Sequence, residues 1–215
     1  MDSIDEAWIG DYLKPRYPEL VAPYLEAESA ISSSRSRNEI TQSEKAVLLR
    51  ACSSSRRPLS ENIAQMLGHL ASKLNAADEL IRELFRSKLA PARVSALIAL
   101  GCRNTAAIHR EMLPLALRDR SSKVRSLAAG LIGERRLVEF NTLLQQAVSS
   151  DENARARETL SFEQRLLQNG YIIEESDQMF FVTVRKGRGL LGQYFRREEF
   201  ETAGKAFIRR YAGKA

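Results

Sequence analysis

The sequence predicts a mainly α-helical protein, an α-solenoid of stacked helix pairs that ends in a small β-hairpin and a last helix. Three observations carry this expectation. Apolar stripes at helical spacing recur through the middle of the chain, their first members Ile63, Val94, Val124 and Ala156 lying 31, 30 and 32 residues apart. The texture changes to β-rich runs after Gln168. With 215 residues, 44% of them hydrophobic and 28% charged, the chain has a globular composition and is long enough to bury a core.

From the N-terminus, Ile4, Trp8 and Tyr12 recur every four residues and read as a short amphipathic helix stopped by Pro15 and Pro18. Pro18 suits the first position of a second helix with Leu20, Val21, Tyr24 and Leu25 on one face. The polar, aperiodic run Ser32 to Arg37 reads as a linker, closing an N-terminal segment of residues 1–37. Thr41-Gln42-Ser43-Glu44 has capping-box spacing, in which hydroxyl and carboxylate each satisfy an orphan backbone amide.

Residues 38–168 are expected to hold the repeats. Ile63, Met66, Leu67 and Leu70 follow the i, i+3, i+4, i+7 pattern; Val94, Leu97, Ile98 and Gly101 repeat it, as do Val124, Leu127, Ala128 and Leu131. Ala156 and Leu160 open a weaker copy. The helices between are assigned to Leu80, Ile81, Leu84 and Phe85, capped by Asp78; to Ile108, Met112, Leu115 and Ala116, capped by Asn104; and to Leu137, Phe140, Leu144 and Val148. Neither helix of such a pair buries its stripe alone, so a period near 30 implies stacking.

Leu113-Pro114-Leu115-Ala116-Leu117-Arg118-Asp119, then Val124-Arg125-Ser126-Leu127-Ala128-Ala129 and Leu131-Ile132-Gly133, resembles a HEAT repeat. The proline of the first helix, the aspartate of the turn and the Val-Arg of the second helix all match. Asp151 and Arg157 resemble the next unit with Ala156 in place of valine, and the unit around Val94 has Ser95 where arginine is expected. The resemblance covers roughly residues 40–168. It implies a right-handed stack with the second helices lining a concave face, a structural ladder of Asp119, Arg125, Asp151 and Arg157, and a binding function.

Residues 169–215 are expected to form a β-hairpin plus helix that closes the stack. Asn169-Gly170 reads as a helix C-cap, and Tyr171 to Ile173 and Met179 to Val184 as strands. Glu198 to Arg210 reads as a helix with Phe200, Ala203, Phe207 and Tyr211 on one stripe. The run Gly187 to Gly192 matches GxGxxG, but only 23 residues follow it, too few for the second strand and acidic residue of a dinucleotide site, so a glycine-rich turn suffices.

Several function classes lack support. No apolar run approaches the roughly 18 residues of a membrane span. The acidic N-terminus lacks the features of a signal peptide, and two cysteines, Cys52 and Cys102, are too few for a disulfide framework; a cytoplasmic protein with free thiols is expected. His69 and His109 have no ligand at metal spacing, so neither metal nor cofactor is expected. No nucleophile and base pair stands out.

The net charge of +6 is uneven: −5 over residues 1–31 and +6 over residues 185–215. Lys123 and Arg155 near the starts of successive second helices, with Arg185, Lys186 and Arg188 in the basic hairpin, are the candidates for contact with a partner or with phosphates. The hairpin run Phe181 to Arg188 resembles the wing of a winged-helix domain, although the chain upstream is too short for a recognition helix. The groove resembles that of HEAT-like DNA glycosylases, although the one tryptophan, Trp8, lies outside the repeats. The expected function is non-enzymatic recognition of a protein partner, with nucleic-acid binding as the alternative.

Overall fold

A computed structural model describes residues 8–103 and 106–212. Ile4 of the first expected helix and the expected cap Asn104 lie outside these residues. The chain forms two compact units, Met1–His109 and Arg110–Ala215. It is mainly helical, with one small antiparallel sheet.

In the first unit, a π-helical turn Ile9–Leu13 runs into a helical turn Lys14–Arg16. Pro15 does not stop this segment, because it sits where a missing amide hydrogen costs nothing; the break comes at Tyr17. A 3-10 turn Pro18–Leu20 leads into α1 (Val21–Arg37). The run Ser32 to Arg37 is therefore helix and not linker. Its reason is a buried stripe in which small residues flank one large one: Ala27, Ala30, Ile31 and Ser34 are buried at i, i+3, i+4 and i+7. Leu25 is exposed, so the inner face turns away from the one expected, with Leu20 and Tyr24 on it. Asn38, at φ 58°, ends α1 in the left-handed region.

Four helices follow: α2 (Gln42–Cys52), α3 (Arg57–Ala71), α4 (Ala76–Arg86) and α5 (Ala90–Cys102). The capping box of α2 is formed, with the Glu44 amide donating to Thr41 Oγ1 at 3.3 Å and the Thr41 amide to Glu44 Oε2 at 2.9 Å. α3 packs along α5, and α4 covers α5. The close approach of α3 and α5 depends on Gly68, where a Cβ would meet the Ala99 carbonyl and lie 2.7 Å from Cys102 Cβ. Asp78 is not a cap; it lies in the first turn of α4, and its carboxylate holds Arg103 in a fork at 3.1 and 2.9 Å.

The boundary between the units falls within α6 (Ala106–Ala116). Ile108, Met112, Leu113 and Ala116 are the buried apolar residues among those described in it, with His109 buried beside them; Leu115, expected on this stripe, is exposed. In the second unit α7 (Ser122–Glu134) packs along α9 (Ala154–Asn169), and α8 (Asn141–Ser150), entered through a 3-10 turn Val138–Phe140, packs on α9. Val124 is fully buried, whereas Leu127 is only half-buried. Gly170, at φ 81°, ends α9 and turns the chain into a sheet ordered β1-β2-β3.

The strands are β1 (Tyr171–Glu175), β2 (Met179–Lys186) and β3 (Gly189–Arg196), so the expected hairpin is a three-stranded meander. The run Gly187 to Gly192 is not wholly a turn. Gly187, at φ 60°, and Arg188 make a two-residue turn with glycine at its first central position, and β3 begins at Gly189. One sheet face carries Val182, Val184 and Phe195 into a core with Phe200, Phe207 and Ile208. The last helix is broken by a π-turn Phe200–Gly204 before α10 (Lys205–Ala212). That turn shifts the register, so Gly204 is buried and Ala203 exposed.

Candidate functional site

Four helix starts share one construction. α3, α5, α7 and α9 begin at Arg57, Ala90, Ser122 and Ala154. Three residues earlier stand Ser54, Ser87, Asp119 and Asp151, and each side-chain oxygen accepts the amide two residues on: Arg56 at 3.1 Å, Leu89 at 3.1 Å, Ser121 at 2.7 Å and Asn153 at 2.9 Å. These short side chains imitate a backbone turn and fix the entry of the helix.

Three residues after each start stand Ser60, Arg93, Arg125 and Arg157. Each arginine donates from Nη1 to the carbonyl oxygen six residues back: Arg93 to Ser87 at 2.9 Å, Arg125 to Asp119 at 2.7 Å and Arg157 to Asp151 at 3.0 Å. Ser60, the shorter equivalent, donates to the carbonyl of Arg56. The buried stripes share the same frame: Leu59, Ala92, Val124 and Ala156, then Ile63, Ala96, Ala128 and Leu160. Arg93, and not the position of Ser95, thus carries the arginine of its unit; Ser95 donates to the carbonyl of Cys52 at 2.7 Å.

In the second unit the ladder also closes between turns. Arg125 Nε and Nη2 donate to the two Asp151 oxygens, each at 2.6 Å, and the Asp151 carboxylate is 1% exposed. This bond holds its carboxyl below the usual range, and the Asn153 amide acts in the same direction. Beside the pair, Leu117, Arg118, Leu143, Gln146, Ser150 and Glu152 are among the residues lining a cleft of about 360 Å3.

The candidate cations do not form one surface. Arg185 is buried and paired with Glu163 of α9, so it cannot face a phosphate as expected. Gly133 of α7 makes room for the pair: a Cβ there would meet the Glu163 carboxylate and lie 3.1 Å from Arg185 Nη2. Burial pushes the Glu163 carboxyl up, Arg185 pulls it down, and Glu134 adds to the rise. Arg136, at φ 52°, donates from Nη2 to the Arg185 carbonyl at 3.2 Å.

Lys123, Arg155, Lys186 and Arg188 are exposed. Lys123 and Arg155 stand at the N-terminal ends of α7 and α9. Arg188 is 3.4 Å from Glu134 at the far end of α7, about 16 Å along the helix from Lys123. Lys186 lies over the Tyr211 ring.

Among the described residues no group of three His, Cys, Asp or Glu side chains converges to hold a metal, and no helix is long and apolar enough to cross a membrane. His69 is exposed, and His109 is buried with Nε2 3.4 Å from the Leu100 carbonyl. Burial alone pushes the Cys52 thiol up to about 12, which suits a packing residue and not a nucleophile. A second cleft, of about 390 Å3, is lined by Trp8, Tyr12 and Tyr17 with Arg57, Pro58, Glu61 and Asn62.

No family model matches the sequence, and comparison with curated proteins and with solved structures finds no significant match.

Proposed function

We propose that the chain is a HEAT-like α-solenoid that binds a protein partner through its helical-repeat surface and performs no catalysis. The observation that carries this reading is the construction shared by the four helix starts, which recurs at intervals of 33, 32 and 32 residues. Recurrence of one turn and one buried stripe at all four starts, with an arginine at three of them, is in keeping with stacked helix pairs that contact only their neighbours. The sheet and last helix then close the stack, in keeping with the need for an atypical terminal unit. The cleft beside Asp119 and Asp151 offers the partner a surface of mixed polarity.

The same observation weakens the nucleic-acid alternative. Arg93, Arg125 and Arg157 bond the fold's own carbonyls, and Arg185 is buried against Glu163. A phosphate tract is left with Lys123 and Arg155 at one end of two helices and Lys186 and Arg188 at the other.

The test has two arms. Affinity capture from the native host should return a partner whose retention depends only modestly on salt and is lost on Leu143→Glu or Gln146→Arg. Duplex and single-stranded nucleic acid should bind only weakly at physiological salt. Submicromolar binding there would promote the alternative, provided log K falls with log salt at about −0.9 per phosphate contact and reversal of Lys123, Arg155, Lys186 and Arg188 to Glu abolishes it.

A further inference from the structure

β3 is the outer strand of the sheet, and one of its edges faces away from β2. Among the described residues, no backbone hydrogen bond reaches β3 from outside its ladder with β2. The strand is 8 residues long, and six of its positions are exposed, Leu190 and Tyr194 among them. Natural edges are protected by charge, proline, a bulge or a cover, because a row of unpaired amides and carbonyls is a template for another strand. From Gly189 to Phe195 there is neither charge nor proline, and the pairing with β2 is continuous, without a bulge.

The other edge is different. β1 is 5 residues long, ends in Glu174 and Glu175, and packs against α9. The sheet guards one side and leaves the other open.

We propose that the free edge of β3 receives an extended segment of another protein as a fourth strand, uncharged along its middle and acidic at the end that meets the Lys186–Arg188 turn. Backbone pairing supplies the affinity of such additions, and charge and side-chain pockets supply the selectivity. Lys186 and Arg188 stand exposed beside the start of β3, Arg188 ion-paired with Glu134 at 3.4 Å and Lys186 over the Tyr211 ring. At the other end Arg197 is paired with Glu175, and Glu199 accepts the Arg196 amide, leaving the Arg196 side chain exposed.

These charges select against a second copy of β3. A centred antiparallel pair would set Gly189 of each copy opposite Arg196 of the other, with Arg188 one position from that Arg196, so cations would gather at both ends of the pair. An acidic strand end meets these cations and removes that repulsion. The Phe181 ring, packed over Gly192 and 4.5 Å from the Tyr194 ring, gives the added strand an apolar neighbour on one face.

This surface goes beyond the helical-repeat face and is tested without it. The probe is a capped peptide, Glu-Glu-Val-Thr-Val-Thr-Val-Gln, matched to the 8 residues of β3. Hydrogen exchange on the full chain should show residues 189–196 gaining protection on saturation, with the helices unchanged. The Lys-Lys analogue should bind about tenfold more weakly or worse. N-methylation at alternate residues of one parity should abolish binding, and the same change at the other parity should spare it, because only every second amide of the peptide faces β3.

The proposal is overturned by absence of binding at about 1 mM peptide, by protection elsewhere, by equal effects of the two N-methyl series, or by self-association that protects β3 without peptide. Gln146→Arg should leave peptide binding unchanged. Peptide binding that persists while the captured partner is lost separates this edge from the helical face, and the converse result sinks only the edge.

Discussion

Gly133 and Gly130 stand three residues apart on α7, and their surroundings differ sharply. A methyl group at Gly133 would displace the buried Glu163 carboxylate, whereas nothing lies within 4 Å of one at Gly130. Gly133→Ala should therefore cost about 2 kcal/mol by overpacking, and Gly130→Ala should gain about 0.5 to 1 kcal/mol from helix propensity. Urea unfolding of the two variants checks both signs. Glu44 gives a second prediction. The Arg37 hydrogen bond, with that of the Thr41 amide, lowers its pKa from 4.5 to about 2 against the opposing effect of burial. The folded pKa lies below the ordinary one, so the carboxylate's contribution is complete above pH 4.5 and is lost as pH falls through 2. Glu44→Ala should cost about 1 kcal/mol at neutral pH, with the difference from the parent shrinking between those two pH values. The Thr41 and Glu44 pair was legible in the sequence because it closes over three residues. The Arg185 and Glu163 pair was not, because it needs positions 133, 163 and 185 together, and no local spacing marks them.

At the scale of elements, the ladder joins turns that lie 32 residues apart. Arg125→Ala should leave the Asp151 carboxylate buried without its main counter-ion and cost about 3 kcal/mol, whereas adding Asp151→Asn should return part of that loss. A double-mutant cycle in urea measures the coupling; additive losses would mean the fork contributes nothing. The parent's share of this bond should fade below pH 3.8, since Asp151 is held under its ordinary value of 3.8. Why the sequence misplaced one apolar stripe is clear from the same elements. The residue equivalent to Val124 is Ala92 and not Val94, and the equivalent of Ala128 is Ala96. Small buried residues carry little weight in a reading of apolar stripes, so the larger Val94 drew the register two residues along. The serines of α1 hid that helix in the same way. β3 was missed because its glycines read as turn; the Phe181 ring over Gly192 fills the space that a side chain would have taken.

For the whole molecule, composition and period were enough to place helices in the middle of the chain and strands only after Gly170, because both follow from patterns within a few residues. Which side chains stay exposed was not legible, since exposure depends on how faces are buried. The turn and arginine construction bears on a different property, the order in which the chain folds. Ser87 to Arg93, Asp119 to Arg125 and Asp151 to Arg157 each close over six residues, and the strands pair with their sequence neighbours. Such contacts form with little loss of loop entropy, and chains rich in them fold fast. The fork from Arg125 to Asp151 spans 26 residues and belongs to a later event. Removing the hydroxyl of Ser87, which accepts the Leu89 amide in the same turn, should thus slow refolding in stopped-flow traces, while Asp151→Asn, which keeps an oxygen for the Asn153 amide and loses the charged fork, should mainly quicken unfolding. One arginine of α7, bonded at once to a near carbonyl and a distant carboxylate, would then take part in both the first and the last steps by which the chain acquires its form.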